Sequence, residues 1–182
     1  NMNRVQIMSE EMANKIAAGE VIERPASVVK ELVENGIDAQ STKIQVDVEE
    51  GGIKRIQVTD NGCGMSRVDS QLAFERHATS KIKTERDLYR ITSLGFRGEA
   101  LPSIAAVAKV ELMTWDGMEP TGTHLVLENG KIQTVKDAPL RRGTAVEVRD
   151  LFYNTPARYK YLKSISTELG HISDYMNRLA MA

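Results

Sequence analysis

Two stretches alternate apolar and polar side chains with only three residues between them. They are Lys43-Ile44-Gln45-Val46-Asp47-Val48-Glu49 and Ile53-Lys54-Arg55-Ile56-Gln57-Val58-Thr59, joined by Glu50-Gly51-Gly52. A period of two sets one side of each strand on a core and the other in water, and a short glycine-containing joint returns the second strand beside the first. Antiparallel pairing follows, because a parallel neighbour needs a crossover of a dozen or more residues. The same pattern recurs at 110–115, 124–127, 131–135 and 144–148, parted by Asp116-Gly117, Asn129-Gly130 and Arg142-Gly143.

Helical periodicity surrounds these strands. Ser9-Glu10-Glu11 offers a capping hydroxyl and then acids for the positive end of a helix dipole, with Met12, Ala13, Ile16 and Ala17 as its apolar stripe and Gly19 as its stop. Pro25 opens a second helix that buries Val28, Val29, Leu32 and Val33 and fades around Gly36. Further helices are read over 67–76 and over 98–108, where Pro102 falls in the first turn. Thr155-Pro156 starts another, and a last one begins near Ser166 or Thr167 with Leu169, Ile172, Met176 and Leu179 on one side. Residues 79–96 are polar and poorly periodic, with a helical patch near 85–89. Regular strand–helix–strand alternation is absent. The expectation is a single α+β domain over 1–182, a two-layer sandwich of a mostly antiparallel mixed sheet with helices on one face.

The chain carries 24 basic and 25 acidic residues, a net charge of -1, which argues against a dedicated nucleic-acid module. Cys63 is the single cysteine, so no intrachain disulfide forms and a reducing compartment is implied. No apolar run approaches the ~20 residues of a membrane span, and no signal peptide precedes the first helix. The expected setting is cytoplasmic, with no membrane partner. Asn1 ahead of Met2 reads as a cloning scar, and the last helix meets the chain end without a stop signal, as in a piece of a longer protein.

Three stretches carry chemistry. Glu31 and Asn35 lie one helical turn apart on one face, where one side chain can orient a water and the other can hold a metal through its amide oxygen. Alone, the pair better suits the solvated side of an amphipathic helix, with Ser27 and Asp38, and it gains weight only beside the later loops. Asp60 ends a strand, and glycines follow at 62 and 64; this is a common turn sequence, but an ionised carboxylate there would accept from the amino group of adenine and reject the carbonyl of guanine. Gly95-Phe96-Arg97-Gly98 leads into a helix, an arrangement whose free amides and dipole face an anion. No Gly-x-x-x-x-Gly-Lys-Ser/Thr P-loop occurs. Arg76-His77-Ala78-Thr79-Ser80-Lys81 reads as a lid, and His77 has no Cys or His partner at zinc spacing. Together these stretches imply a site for ATP and magnesium.

With Asn14-Lys15-Ile16-Ala17-Ala18-Gly19-Glu20-Val21-Ile22-Glu23-Arg24-Pro25 and Phe152-Tyr153-Asn154-Thr155-Pro156-Ala157-Arg158, these motifs resemble the N-terminal ATPase region of the MutL family of DNA mismatch repair proteins. That family is grouped with type II topoisomerases, heat-shock chaperones and histidine kinases as GHKL ATPases. The resemblance implies that Glu31 is the general base and Asn35 the magnesium ligand. It puts the adenine turn on Asp60, Gly62, Gly64 and Met65, with Thr144 of Gly143-Thr144 as the last nucleotide motif. Lid contacts fall on Thr79, Ser80 and Lys81, and the phosphate loop on Leu94, Gly95, Phe96, Arg97, Gly98, Glu99, Ala100 and Leu101. It further implies a Mg-dependent ATPase whose bound ATP orders the lid and drives homodimerisation. The dimer would signal between MutS and strand incision on DNA that it holds non-specifically.

Two departures from the family pattern stand out. Gly36 occupies a position where the family has Ser or Ala, at a cost of ~1 kcal/mol in a helix interior. A phosphate-contacting lysine comes from a following domain that this chain lacks, so the chain alone is expected to bind ATP with little turnover. A basic strip of Arg158, Lys160 and Lys163 beside Tyr159 and Tyr161 would suit DNA, although a solvated helix face suits the neutral total charge better.

Overall fold

A computed structural model describes residues 9–76 and 99–182. In chain order these form α1 (Glu10–Val21), α2 (Pro25–Asp38), β1 (Ile44–Glu49), β2 (Arg55–Asp60) and α3 (Arg67–Leu72). After the gap come α4 (Ala100–Val107), β3 (Lys109–Trp115), β4 (Gly122–Glu128), β5 (Lys131–Ala138), β6 (Gly143–Arg149), α5 (Pro156–Tyr161) and α6 (Ile165–Ala180). A three-residue 3₁₀ turn, Glu50–Gly52, closes the first hairpin. The strands make one sheet in the order β1-β2-β6-β3-β4-β5. All five pairings are antiparallel, so the sheet is not the mixed one expected. Three are hairpins, but the Arg142-Gly143 joint does not make a fourth, because β6 leaves β5 and inserts between β2 and β3.

Alternation decides which face is wet. Ile56 and Val58 of β2, Val110 and Leu112 of β3, Leu125 and Leu127 of β4, and Val146 and Val148 of β6 are buried beneath the helices. The opposite face is polar. There Glu147 accepts from Arg149 Nε at 2.6 Å and from Arg55 Nε at 2.9 Å. Burial would push its carboxyl up, but the two guanidinium groups outweigh burial and hold it below the usual carboxylate range. In the helical layer α2 lies over β2, α4 over β3 and β4, α1 against α4, and α6 against α2. Every residue of α4 is buried, and its small side chains allow that depth. No helix among the described residues is long and apolar enough to cross a membrane.

Several boundaries differ from the sequence reading, each for a tertiary reason. Ser9 caps α1 as expected, accepting from Met12 N at 3.1 Å, but the helix passes through Gly19 to Val21. A Cβ at Gly19 would collide with the guanidinium of Arg158, whose Nη1 donates to Gly19 O at 3.2 Å. Met12, Ala13 and Ile16 are exposed, whereas Ala18 and the capping Ile22 are buried, because the contact with α4 is a close one made by small residues. Gly36 does not end α2 either: a Cβ there would lie 2.9 Å from Ile44 Cδ1, so glycine lets the helix press on the sheet. The helix read over 67–76 ends at Leu72 and continues as turns, and the patch at 85–89 lies outside the described residues.

The last helix starts earlier than expected, with Ser164 accepting from Thr167 N at 3.2 Å. Leu169 is largely exposed, and the residue that turns inward beside Ile172 is Glu168, only 1% exposed. Its Oε2 accepts from Lys163 N at 2.8 Å, while Oε1 faces Arg24 Nη1 at 3.9 Å without a hydrogen bond. A buried carboxylate satisfied on one oxygen depends on the charge opposite it. Glu168→Ala should therefore lower stability by about 1–3 kcal/mol in urea unfolding. Arg24→Ala leaves that carboxylate buried without its counter-charge and should cost at least as much.

Candidate functional site

The inner ends of β2, β3 and β6 meet α2 and the start of α4 around one pocket. Its wall comprises Leu32, Asn35 and Ala39, Val58 and Asp60, Cys63, Gly64 and Met65, Leu101, Leu112, Thr144 and Val146. Apolar side chains make most of it, with Asn35, Asp60 and Thr144 among them, the composition expected of a small-molecule site. Asp60 is the last residue of β2, paired to Ile44 on one side and Thr144 on the other. Its Oδ1 accepts from Gly62 N at 2.9 Å and from Thr144 N at 3.2 Å. Among the described residues its Oδ2 makes no hydrogen bond.

The turn after Asp60 is built by close backbone approach. Asn61 Oδ1 accepts from Thr42 N at 2.9 Å and Lys43 N at 3.0 Å, and Cys63 N donates to Ala39 O at 3.0 Å. Gly64 has φ +67°, and a Cβ there would run into Trp115 O. Gly143 has φ +113° and would likewise collide with Asp60 O. Both positions need glycine for conformation and for space. Burial pushes the Cys63 thiol up, which leaves it a small neutral wall residue.

One hydroxyl joins the turn to the sheet. Thr114 Oγ1, on β3, accepts from Met65 N at 2.9 Å, donates to Gly143 O at 3.1 Å, and lies 2.9 Å from Thr144 Oγ1. The sequence reading missed this residue, because an inward threonine in a strand resembles any other β-former. It also assigned Leu32 to the core only and gave no role to Ala39, which caps α2, or to Val58, Leu112 and Val146, whose alternation marks burial but not a cavity.

Of the expected site residues, Asn35, Asp60, Gly64, Met65, Leu101 and Thr144 share the wall, and Gly62 supports Asp60 from behind. Glu31 is not in the wall; it stands one turn before Asn35 on α2, half-buried. Burial raises its carboxyl pKa, Glu34 raises it further, and Lys30 opposes both. Glu99 pairs with Arg76 at 2.8 Å, and Ala100 is buried in the first turn of α4. Thr79, Ser80, Lys81, Leu94, Gly95, Phe96, Arg97 and Gly98 lie outside the described residues. Among the described residues no group of three or more His, Cys, Asp or Glu side chains could hold a metal by itself.

Residues 22–155 match the family described as histidine kinase-, DNA gyrase B-, and HSP90-like ATPase. Over 181 residues, all of this chain, the sequence is 60% identical to the DNA mismatch repair protein MutL of Geobacillus thermodenitrificans and 59% identical to that of Bacillus pumilus. The chain spans only 28% of the length of each of those relatives. The Aquifex aeolicus MutL ATPase domain complexed with ADP superposes with a TM-score of 0.67 at 34% identity, covering 88% of this chain and 56% of that one. The N-terminal domain of a DNA repair protein gives a TM-score of 0.73 at 30% identity over 92% of this chain and 49% of its own. With the family match covering most of its residues and the six-stranded sheet beneath it, this chain belongs to the histidine kinase-, DNA gyrase B- and HSP90-like ATPases.

Proposed function

We propose that the chain is the ATP-binding and ATP-hydrolysing domain of a MutL-like mismatch repair protein. One observation carries this reading: side chains from α2, β2, the 61–65 turn, α4 and β6 line one apolar pocket that ends on the free oxygen of a buried aspartate. A purine suits such a wall. The carboxylate accepts from an exocyclic amine, and an oxygen in place of that amine finds no donor in the carboxylate. Similarity to a MutL ATPase domain complexed with ADP supports the same ligand class.

In this reading Glu31 takes a proton from the attacking water, and its raised carboxyl pKa makes it a stronger acceptor near neutral pH. Asn35 contributes a hard amide oxygen, which fits magnesium, an ion that keeps several waters and takes its remaining ligands from phosphate oxygens. When bound, magnesium would neutralise charge on the phosphates. Residues 94–101 would supply amides to the phosphates, and Thr79, Ser80 and Lys81 would close over them. In the longer protein we further propose an ATP-driven homodimer that acts with MutS and DNA in the cytoplasm. That assignment follows from the similarity to MutL.

Calorimetric titration with ADP tests the reading directly, and absence of binding at millimolar ligand would end it. Asp60→Asn keeps Oδ1 as an acceptor for Gly62 N and Thr144 N but turns the free oxygen into a donor. ADP affinity should fall about 10–100-fold. Phosphate release, however slow in this chain, should disappear in Glu31→Ala while ADP still binds. The pH profile follows from the sign of the shift. A base must be deprotonated, so turnover should decline on acidification at a higher pH than an ordinary glutamate would give. Removing the neighbouring charge in Glu34→Gln should move that limb to lower pH.

A further inference from the structure

Cys63 stands in the pocket wall, half-buried, and is the single cysteine of the chain. Its neighbours in the turn bring no side chain to that wall. A Cβ at Gly62 would lie 2.7 Å from Ala39 Cβ, and one at Gly64 would run into Trp115 O. Asn61 is turned back onto Thr42 and Lys43. The backbone is pinned on both sides, with Cys63 N donating to Ala39 O and Met65 N to Thr114 Oγ1. A group added to the sulfur is therefore not accommodated by a shift of the turn. A second, independent feature marks the same space as a ligand's. Asp60 is 7% exposed, and its Oδ2, which also belongs to this wall, has no hydrogen-bonding partner among the described residues.

From this geometry we infer that Cys63 is a modification site inside the nucleotide pocket: small, uncharged, thiol-directed compounds couple to it only while the pocket is empty, and the coupled group then excludes the purine. The inference rests on the nucleotide reading above and adds to it a chemical means of shutting the site. With an alkyl thiosulfonate, the thiolate sulfur attacks the sulfenyl sulfur, a disulfide forms and a sulfinate leaves, while the thiol proton passes to solvent. Leu32, Val58, Met65, Leu112 and Val146 offer a flat apolar group on that sulfur the same walls that they offer a purine. Burial keeps the thiol largely protonated, so coupling is slow, and a ligand that covers it slows coupling in proportion to occupancy.

The test treats the chain with benzyl methanethiosulfonate and follows the adduct by mass, which a single cysteine makes unambiguous. ADP at about 100 times its Kd should slow coupling about 100-fold, because only the empty fraction reacts. The benzylated chain should keep its circular dichroism and give no heat with ADP, and dithiothreitol, by releasing the thiol, should bring the heat back. Coupling at an undiminished rate under saturating ADP overturns the inference, and so does a benzylated chain that binds ADP as before. Cys63→Ala, whatever its own affinity, should hold that affinity through the same treatment; a loss there would place the effect on other side chains and overturn the inference too. If the benzyl group unfolds the chain, protection of the native thiol by ADP decides alone. Absence of heat from the untreated chain would instead bring down the nucleotide reading, and the inference with it.

Discussion

A buried carboxylate at the end of a strand has few ways to remain there, and Asp60 uses backbone amides. Taking a charge out of water costs several kcal/mol unless hydrogen bonds replace the lost solvent. Gly62 N and Thr144 N both reach one oxygen, one from the turn that follows β2 and the other from the neighbouring strand. That double acceptance fixes where β2 stops, how the turn leaves it and where β6 begins. It also commits one oxygen inward and leaves the other toward the pocket. The turn and the polar side of the pocket thus depend on satisfying a single group.

The glycines beside this group follow from the same constraint. Where β6 starts at Gly143 its backbone passes against Asp60 O, and where the turn crosses Trp115 only Gly64 can stand. Thr114 then takes up the amide of Met65, which the turn would otherwise leave without a partner. Main-chain groups fix most of the polar end of the cavity. Its shape belongs to the sheet more than to any loop, a rigidity that suits selection between ligands of nearly equal size.

The strands were legible in the sequence because a period of two is a direct imprint of a sheet with one dry face, and hairpins such as that at Asn129-Gly130 carry their own turn chemistry. Helix ends were less legible. Gly19 and Gly36 look like stops, since glycine is locally the poorest ordinary helix former. Their reasons lie outside the helix, in the Arg158 guanidinium far along the chain for Gly19 and in Ile44 on the adjoining strand for Gly36. Glu168 carried no signal at all, because nothing in the local pattern marks an acidic residue that the packing of the last helix turns inward. In the pocket, Asp60 and Gly64 stood out by residue type and position, and Thr144 through the family resemblance alone. Val58, Leu112 and Val146 did not, because the floor of a cavity and the interior of a core are written with the same side chains.

The reach of Arg158 across α1 also decides where a change at position 19 would be felt. Its guanidinium fills the space left by a missing side chain at Gly19 and hydrogen-bonds that residue's carbonyl, 139 positions away in sequence. A side chain introduced there would meet only the flexible end of the arginine, which can swing aside, and would take this donor from the carbonyl. The cost would fall on the mooring of α5 to α1 rather than on α1 itself.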